Sequence, residues 1–191
     1  MGQLILLRHG ESIWNQENRF TGSVDIDLSQ NGIQEAMNVG EQLKKYNISH
    51  VFCSLLKRSK HTAELVLRSA HKSNYLFFEN AALNERNYGK LQGLNKLDAF
   101  ERYGTKQVQF WRRGYNAKPP DGESLKETST RVISYYNKFI QPLTLFENII
   151  LIVAHGNSLR VLIKELEKKN NAEVAQLEIP NCVPIIYKFK N

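Results

Sequence analysis

Leu6-Leu7-Arg8-His9-Gly10-Glu11-Ser12 follows directly on an apolar run at residues 3–7, and far along the chain Val153-Ala154-His155-Gly156-Asn157-Ser158 follows a still more apolar run at 148–154. A buried strand that ends in His-Gly leaves an imidazole at its carboxyl edge, and the glycine lets the backbone turn closely around whatever binds there. Open parallel sheets hold their ligands at that edge, so two such turns in one α/β chain predict two neighbouring histidines. Arg8 beside the first histidine makes the expected ligand an anion. Phosphoryl transfer through a phosphohistidine is the chemistry this pair suggests.

The rest of the chain supplies the elements that such a sheet needs. Ser29 opens a helical pattern carried by Ile33, Ala36, Met37, Gly40 and Leu43. Val51-Phe52-Cys53 reads as a second strand with a helix after it over about 57–68, and Leu76-Phe77-Phe78 as a third strand. The stretch 83–118 is rich in Asn, Gly, Gln and Arg, with helical pieces near 94–103 and 106–113. Pro119-Pro120-Asp121-Gly122 breaks it. A long amphipathic helix is expected over 124–146, ended or bent by Pro142. Residues 148–154 read as a central parallel strand, 157–168 as the helix behind it, and 184–189 as a last strand at a sheet edge. Strands alternating with helices predict a three-layer α/β/α domain around a mostly parallel sheet. The whole of 1–191 is expected to be one domain, with 83–122 an insertion over the substrate.

Composition narrows the partners. The 191 residues are 41% hydrophobic and 24% charged, as expected of an ordinary globular chain. The net charge is +7, but the lysines (Lys44, Lys45, Lys57, Lys60, Lys164, Lys168, Lys169, Lys188, Lys190) are scattered and form no stripe interleaved with aromatics. A nucleic-acid partner is therefore not expected, and the excess charge suits a polyanionic small molecule. Cys53 and Cys182 lack the spacing of a metal framework and read as two unlinked buried thiols, which suit a reducing cytosol. No basic, apolar leader opens the chain and no run is long enough to span a bilayer, so a cytoplasmic protein without a membrane partner is expected.

Further residues join the histidines. Arg58 starts the helix after the second strand, another carboxyl-edge position and a natural leg of a phosphate clamp. Asn157 is of a type that caps helices, at a helix start whose amides suit an anion. Glu85 opens the irregular region and could protonate a leaving oxygen or deprotonate an attacking hydroxyl. Each also has a plainer reading: a core histidine, an exposed helix arginine, a loop carboxylate paired with Arg86. Arg112 and Arg113 are adjacent and cannot share one face of a regular helix, so joint contact with a ligand requires a terminal or irregular geometry.

Taken together, LLRHGESIWNQENRFTG, SLLKRSKHT, LNERNYGKLQGLNK, FWRRG, PPDGESL, AHGNSLR and IPNCVPIIY resemble the cofactor-dependent phosphoglycerate mutases of the histidine phosphatase superfamily, in that family's order and over nearly the whole chain. The resemblance implies an isomerase that interconverts 3-phosphoglycerate and 2-phosphoglycerate, primed by 2,3-bisphosphoglycerate and needing no metal. It implies that His9 is phosphorylated and Glu85 is the proton donor and acceptor, with Arg8, Arg58, His155 and Asn15 around the phosphoryl group. The family's substrate contacts map onto Arg8, His9, Gly10, Glu11, Ser12, Asn15, Thr21, Gly22 and Arg58, onto Glu85, Arg86, Asn87, Tyr88, Lys96, Arg112 and Arg113, and onto Gly156 and Asn157.

Two departures bear on this. Residues 115–120 replace a longer insertion, and the sequence stops at Phe189-Lys190-Asn191 without the tail of longer members. Both are expected to admit water, which favours hydrolysis. They also leave subunit contacts unread, so a homo-oligomer stays open. The alternative is a phosphohistidine-dependent phosphomonoesterase, and Lys96 with Arg112 and Arg113 argues against it because a phosphatase needs no grip on a second anion.

Overall fold

In the computed structural model, residues 2–189 are described, so Lys190 and Asn191 lie outside the described residues. Five strands, β1 (Gln3–Arg8), β2 (Ile48–Cys53), β3 (Leu76–Glu79), β4 (Ile149–Ala154) and β5 (Ile185–Lys188), form one sheet in the order β3-β2-β4-β1-β5. All neighbours are parallel except β5, which runs antiparallel along β1 at the edge. The most apolar strand is thus the central one, as read from the sequence.

Strand alternation explains the three layers. In β1, Leu4 and Leu6 pack with Ile150, Ile152 and Ala154 of β4 against α6 (Leu125–Tyr135) and α7 (Gly156–Leu166). The intervening Ile5 and Leu7 face the other way with Leu151 and Val153, against α2 (Gln30–Leu43) and α3 (Lys57–Ser69). Both faces of each strand are apolar because both are covered. The helix after β1 covers one face and the helix after β4 covers the other, so a crevice opens between the carboxyl ends of these two neighbouring strands. The Arg8–Ala154 register then places His9 and His155 one residue beyond it.

Local chemistry sets the ends. Ser29 caps α2 through Gly32 N–H, and Ser124 with Glu127 forms a reciprocal capping box on α6. Regular α-helix there stops at Tyr135 and gives way to a π turn and a 3₁₀ turn, well before Pro142, so the helix is shorter than the sequence pattern suggests. Two short helices, α1 (Ile13–Gln16) and α8 (Asn171–Gln176), escape periodicity because each is little more than one turn held by its cap. Residues 83–122 carry α4 (Lys96–Tyr103) and α5 (Thr105–Arg113) around a small core of Phe20, Leu91, Ala99 and Val108. No helix among the described residues is long and apolar enough to cross a membrane.

Candidate active site

His9 and His155 stand side by side, ring centroids 4.9 Å apart, both buried. His9 Nδ1 lies 2.6 Å from the Gly10 carbonyl oxygen. A carbonyl can only accept, so this nitrogen carries the proton and Nε2 keeps the lone pair. Burial, then Arg58 and Arg8, hold His9 well below the usual histidine range, so the ring is neutral at pH 7. His155 is lowered in the same way, by burial and then by Arg58, His9 and Arg8. Its Nε2 sits 2.7 Å from Ser54 Oγ, at the end of β2.

Two arginines frame the histidines. Arg58, 1% exposed, donates to Val24 O and Gly22 O, which fixes its fork, and Gly22 reaches it with a φ of +55°. Burial pushes this guanidinium down to about 10, against the pull of Glu85 and Asp25. Arg8 donates to Ile179 O at 2.7 Å and is also lowered by burial. Arg8 Nε, Arg58 Nε, Thr21 Oγ1 and His155 Nδ1 are buried with no hydrogen-bond partner. Buried polar groups without partners cost about 1–3 kcal/mol each, and an oxygen-rich anion would relieve that cost.

Glu85 is held, not loose. Its carboxylate accepts from its neighbour Arg86 N–H at 2.8 Å and from Asn157 N–H at 3.1 Å, the latter in the first turn of α7. Glu85 and Arg8 flank Gly156, where a Cβ would stand 3.7 Å from the carboxylate and 3.8 Å from Arg8 Nε. From the 83–122 segment, Tyr88 OH accepts from Asn157 Nδ2, and Lys96, Arg112 and Arg113 reach the same pocket of about 140 Å³. Arg112 and Arg113 are the last two residues of α5, the terminal geometry that an adjacent pair needs. Lys96 is lowered by burial and then by Arg112 and Arg8.

Of the residues singled out in the sequence, Arg8, His9, Asn15, Thr21, Gly22, Arg58, Glu85, Tyr88, Lys96, Arg112, Arg113, Gly156 and Asn157 line this one pocket. Gly10, Glu11, Ser12, Arg86, Asn87 and the fully buried His155, which stands behind His9, do not. The close approach at Gly10 is to the protein's own helix, since a Cβ there would fall 2.4 Å from Gly32 O. Glu11 accepts from Ser29 Oγ, and Ser12 caps α1. The Arg86 guanidinium is not the partner of the Glu85 carboxylate, which accepts only the backbone N–H of that residue. Its side chain is fully buried and donates to Glu123 O, Trp111 O and Ala117 O. Asn87 bonds Gly89 N–H and Glu123. Asn157 is likewise not the helix cap: His155 occupies that position, and Asn157 uses its side chain to bridge Tyr88 and Arg160.

The sequence reading passed over Arg19, Phe20, Arg160, Glu178 and Ile179, which also line the pocket. Arg160 stands three residues after Asn157 on the same helix face, and that spacing was the available signal. Arg131 was missed too. It grips the Glu123 carboxylate with Nε and Nη2 and donates to Ala82 O, Asn84 O and Glu85 O, so it supports the backbone beneath Glu85.

Known proteins share this arrangement of sequence. The 2,3-bisphosphoglycerate-dependent phosphoglycerate mutase of Chlamydia muridarum is 46% identical, the match covering 99% of this chain and 94% of that protein. The phosphoglycerate mutase of Schizosaccharomyces pombe is 47% identical over 96% of this chain and 88% of its own. A solved mycobacterial glucosyl-3-phosphoglycerate phosphatase superposes with a TM-score of 0.84 at 22% identity, over 97% of this chain and 90% of the other, a likeness of fold. Residues 4–191 match the histidine phosphatase superfamily, branch 1, as a whole. With paired strand-end histidines, a framing pair of arginines and relatives of this similarity, the chain belongs to the histidine phosphatase superfamily.

Proposed function

We propose that this protein is a phosphoglycerate mutase that interconverts 3-phosphoglycerate and 2-phosphoglycerate through a phosphohistidine on His9, in glycolysis and gluconeogenesis. The observation that carries this reading is the joining of two cationic groups in one pocket: Arg8 and Arg58 around His9, and Lys96, Arg112 and Arg113 from the 83–122 segment. The first suits a phosphoryl group in transfer, and the second suits the other anion of a phosphoglycerate. Nearly full-length relatives that carry the mutase name support the same reading.

The steps follow from the site. 2,3-Bisphosphoglycerate supplies the phosphoryl group that primes the enzyme. His9 Nε2 attacks phosphorus, the phosphorus–oxygen bond to the glycerate breaks, and Glu85 protonates the departing oxygen. In the second half, Glu85 takes the proton from a substrate hydroxyl as that oxygen attacks the phosphoryl group on His9. Arg8 and Arg58 neutralise the oxygens that gain charge, the neutral His155 donates a hydrogen bond to them, and the arginines take the part that a metal ion plays elsewhere. Asn15 joins them at the phosphoryl group, and Thr21, Gly22, Tyr88, Gly156 and Asn157 position the remainder of the substrate. In this reading residues 1–191 form one domain with 83–122 as its cover, working in the cytoplasm, to which the unpaired Cys53 and Cys182 are suited.

The test is a coupled assay on 3-phosphoglycerate with and without 2,3-bisphosphoglycerate, with EDTA present throughout. Isomerisation that depends on the primer and is indifferent to EDTA is expected. Release of inorganic phosphate faster than isomerisation would instead establish the phosphomonoesterase.

A further inference from the structure

Glu178 is, after Glu85, the second carboxylate in a pocket whose other charged side chains are cations, and the proton transfers assigned to Glu85 leave it without a part. It pairs with Arg113 Nη2, while Arg113 Nη1 donates to Ala175 O at 3.3 Å. The residues on either side of Glu178 are fixed. Leu177 O accepts from Arg160 Nε and Nη2, and Ile179 O accepts from Arg8 Nη1. The backbone at this point is therefore tied to two arginines of the pocket, whereas the Glu178 side chain is 72% exposed and free to turn outward.

Geometry of this kind points to an internal competitor: we infer that Glu178 occupies Arg113 when no ligand anion does, and yields it when the carboxylate of a phosphoglycerate arrives. The inference rests on the reading that Arg113 grips that carboxylate, and it adds a specificity-determining residue to it. The physical reason is exchange. A guanidinium that loses its ligand partner is left with donors that only water can satisfy, and a carboxylate on an exposed neighbouring side chain can take the ligand's place at once. A mutase needs this repeatedly, because its bisphosphorylated intermediate must release its grip, turn over and bind again. A partly exposed ion pair is worth only about 0.2–1 kcal/mol, so a substrate carboxylate can displace it.

The test compares 3-phosphoglycerate with glycerol 3-phosphate, the same skeleton with a hydroxymethyl group where the carboxylate stands. Binding to the unmodified protein, Glu178→Gln, Glu178→Asp, Arg113→Ala and the double variant is measured by calorimetry, alongside kcat and KM. Glu178→Gln is expected to tighten 3-phosphoglycerate about twofold to fivefold, the range an exposed ion pair supports, and to leave glycerol 3-phosphate nearly unchanged. KM and kcat should fall together, because a tighter grip slows release and reorientation. Glu178→Asp should behave as the unmodified protein. In the Arg113→Ala background the Glu178 substitution should have no further effect. Weaker or unchanged binding in Glu178→Gln would overturn the inference, since a strut that merely orients Arg113 would raise KM when removed. Tightening that persists without Arg113 would overturn it as well, by showing a general effect of charge. Failure of the mutase reading shows separately, as absent isomerisation by the unmodified protein, and the binding ratios still decide the part of Glu178.

Discussion

The floor of the pocket and its cover are built on opposite principles. The floor consists of side chains at the carboxyl ends of β1, β2 and β4: they are buried, and their positions follow from strand register. The cover, residues 83–122, packs around a small core that Phe20 completes; Arg86 binds its parts together through Trp111 O and Ala117 O, and Arg131 ties it to the rest through Asn84 O and Glu85 O. Its cations, Lys96, Arg112 and Arg113, are only partly buried. The difference suggests a division of labour in which the floor, joined by Glu85 that Asn157 N–H ties to the helix after β4, performs the phosphoryl chemistry, and the cations of the cover choose what it is performed on.

That division can be broken at several points. His9→Ala should abolish turnover and phosphorylation while leaving the circular dichroism spectrum native, and residual phosphohistidine in that variant would place the chemistry elsewhere. Glu85→Gln should slow both half-reactions by roughly 10²–10⁴-fold. The near-isosteric amide should leave the affinity for 3-phosphoglycerate within about twofold of normal, and rapid-quench kinetics would separate the two quantities. A rate close to normal would remove Glu85 from proton transfer.

The cover should respond differently. Arg112→Ala or Arg113→Ala should lower kcat/KM for 3-phosphoglycerate by roughly tenfold to a hundredfold, the value of one charge-assisted hydrogen bond. Hydrolysis of an aryl phosphate, which has no second anion, should change much less. Equal losses on both substrates would show that the cover belongs to the phosphoryl site and that the two regions are not separate in function.

The smallest effect concerns pH. His9 and His155 are held well below the ordinary histidine range in the folded protein, so below about pH 6.5 the unfolded chain takes up protons that the folded one refuses. Stability contributed by the neutral rings is complete above pH 6.5 and is lost as the pH falls below it, by at most about 1.4 kcal/mol per pH unit for each histidine. Urea unfolding between pH 7 and pH 5.5 should show this slope, and His155→Asn should reduce it. An unaltered slope would mean that His155 takes up a proton inside the fold.

The floor was legible in the sequence because its signals are local. An apolar run followed by His-Gly states both the strand and the side chain at its end, and the order of runs gave the central strand, the edge strand and the layers. Arg58 and Glu85 were readable for the same reason, as single charged residues just after recognisable elements. The cover was legible only in its cations. Arg86 looked like a substrate contact because nothing in a sequence distinguishes a guanidinium aimed at an anion from one aimed at three carbonyls. Arg131, Arg160 and Glu178 sit in ordinary helical or loop contexts, and their partners are backbone atoms or distant side chains that only the fold brings near. The helix over 124–146 was overread, since amphipathic spacing continues through the π and 3₁₀ turns where regular hydrogen bonding has already stopped.

The central claim is that a phosphoryl group on His9 passes to phosphoglycerate under the control of the cover. It is tested most directly by labelling the protein from radioactive 2,3-bisphosphoglycerate, removing the excess, and chasing with unlabelled 3-phosphoglycerate or with buffer alone. The account predicts an acid-labile, base-stable label that maps to His9. With 3-phosphoglycerate the label should move rapidly into bisphosphoglycerate, in buffer it should decay only slowly to inorganic phosphate, and the Arg112→Ala/Arg113→Ala protein should lose most of this difference. Label that leaves as inorganic phosphate at the same rate with and without 3-phosphoglycerate would contradict the account.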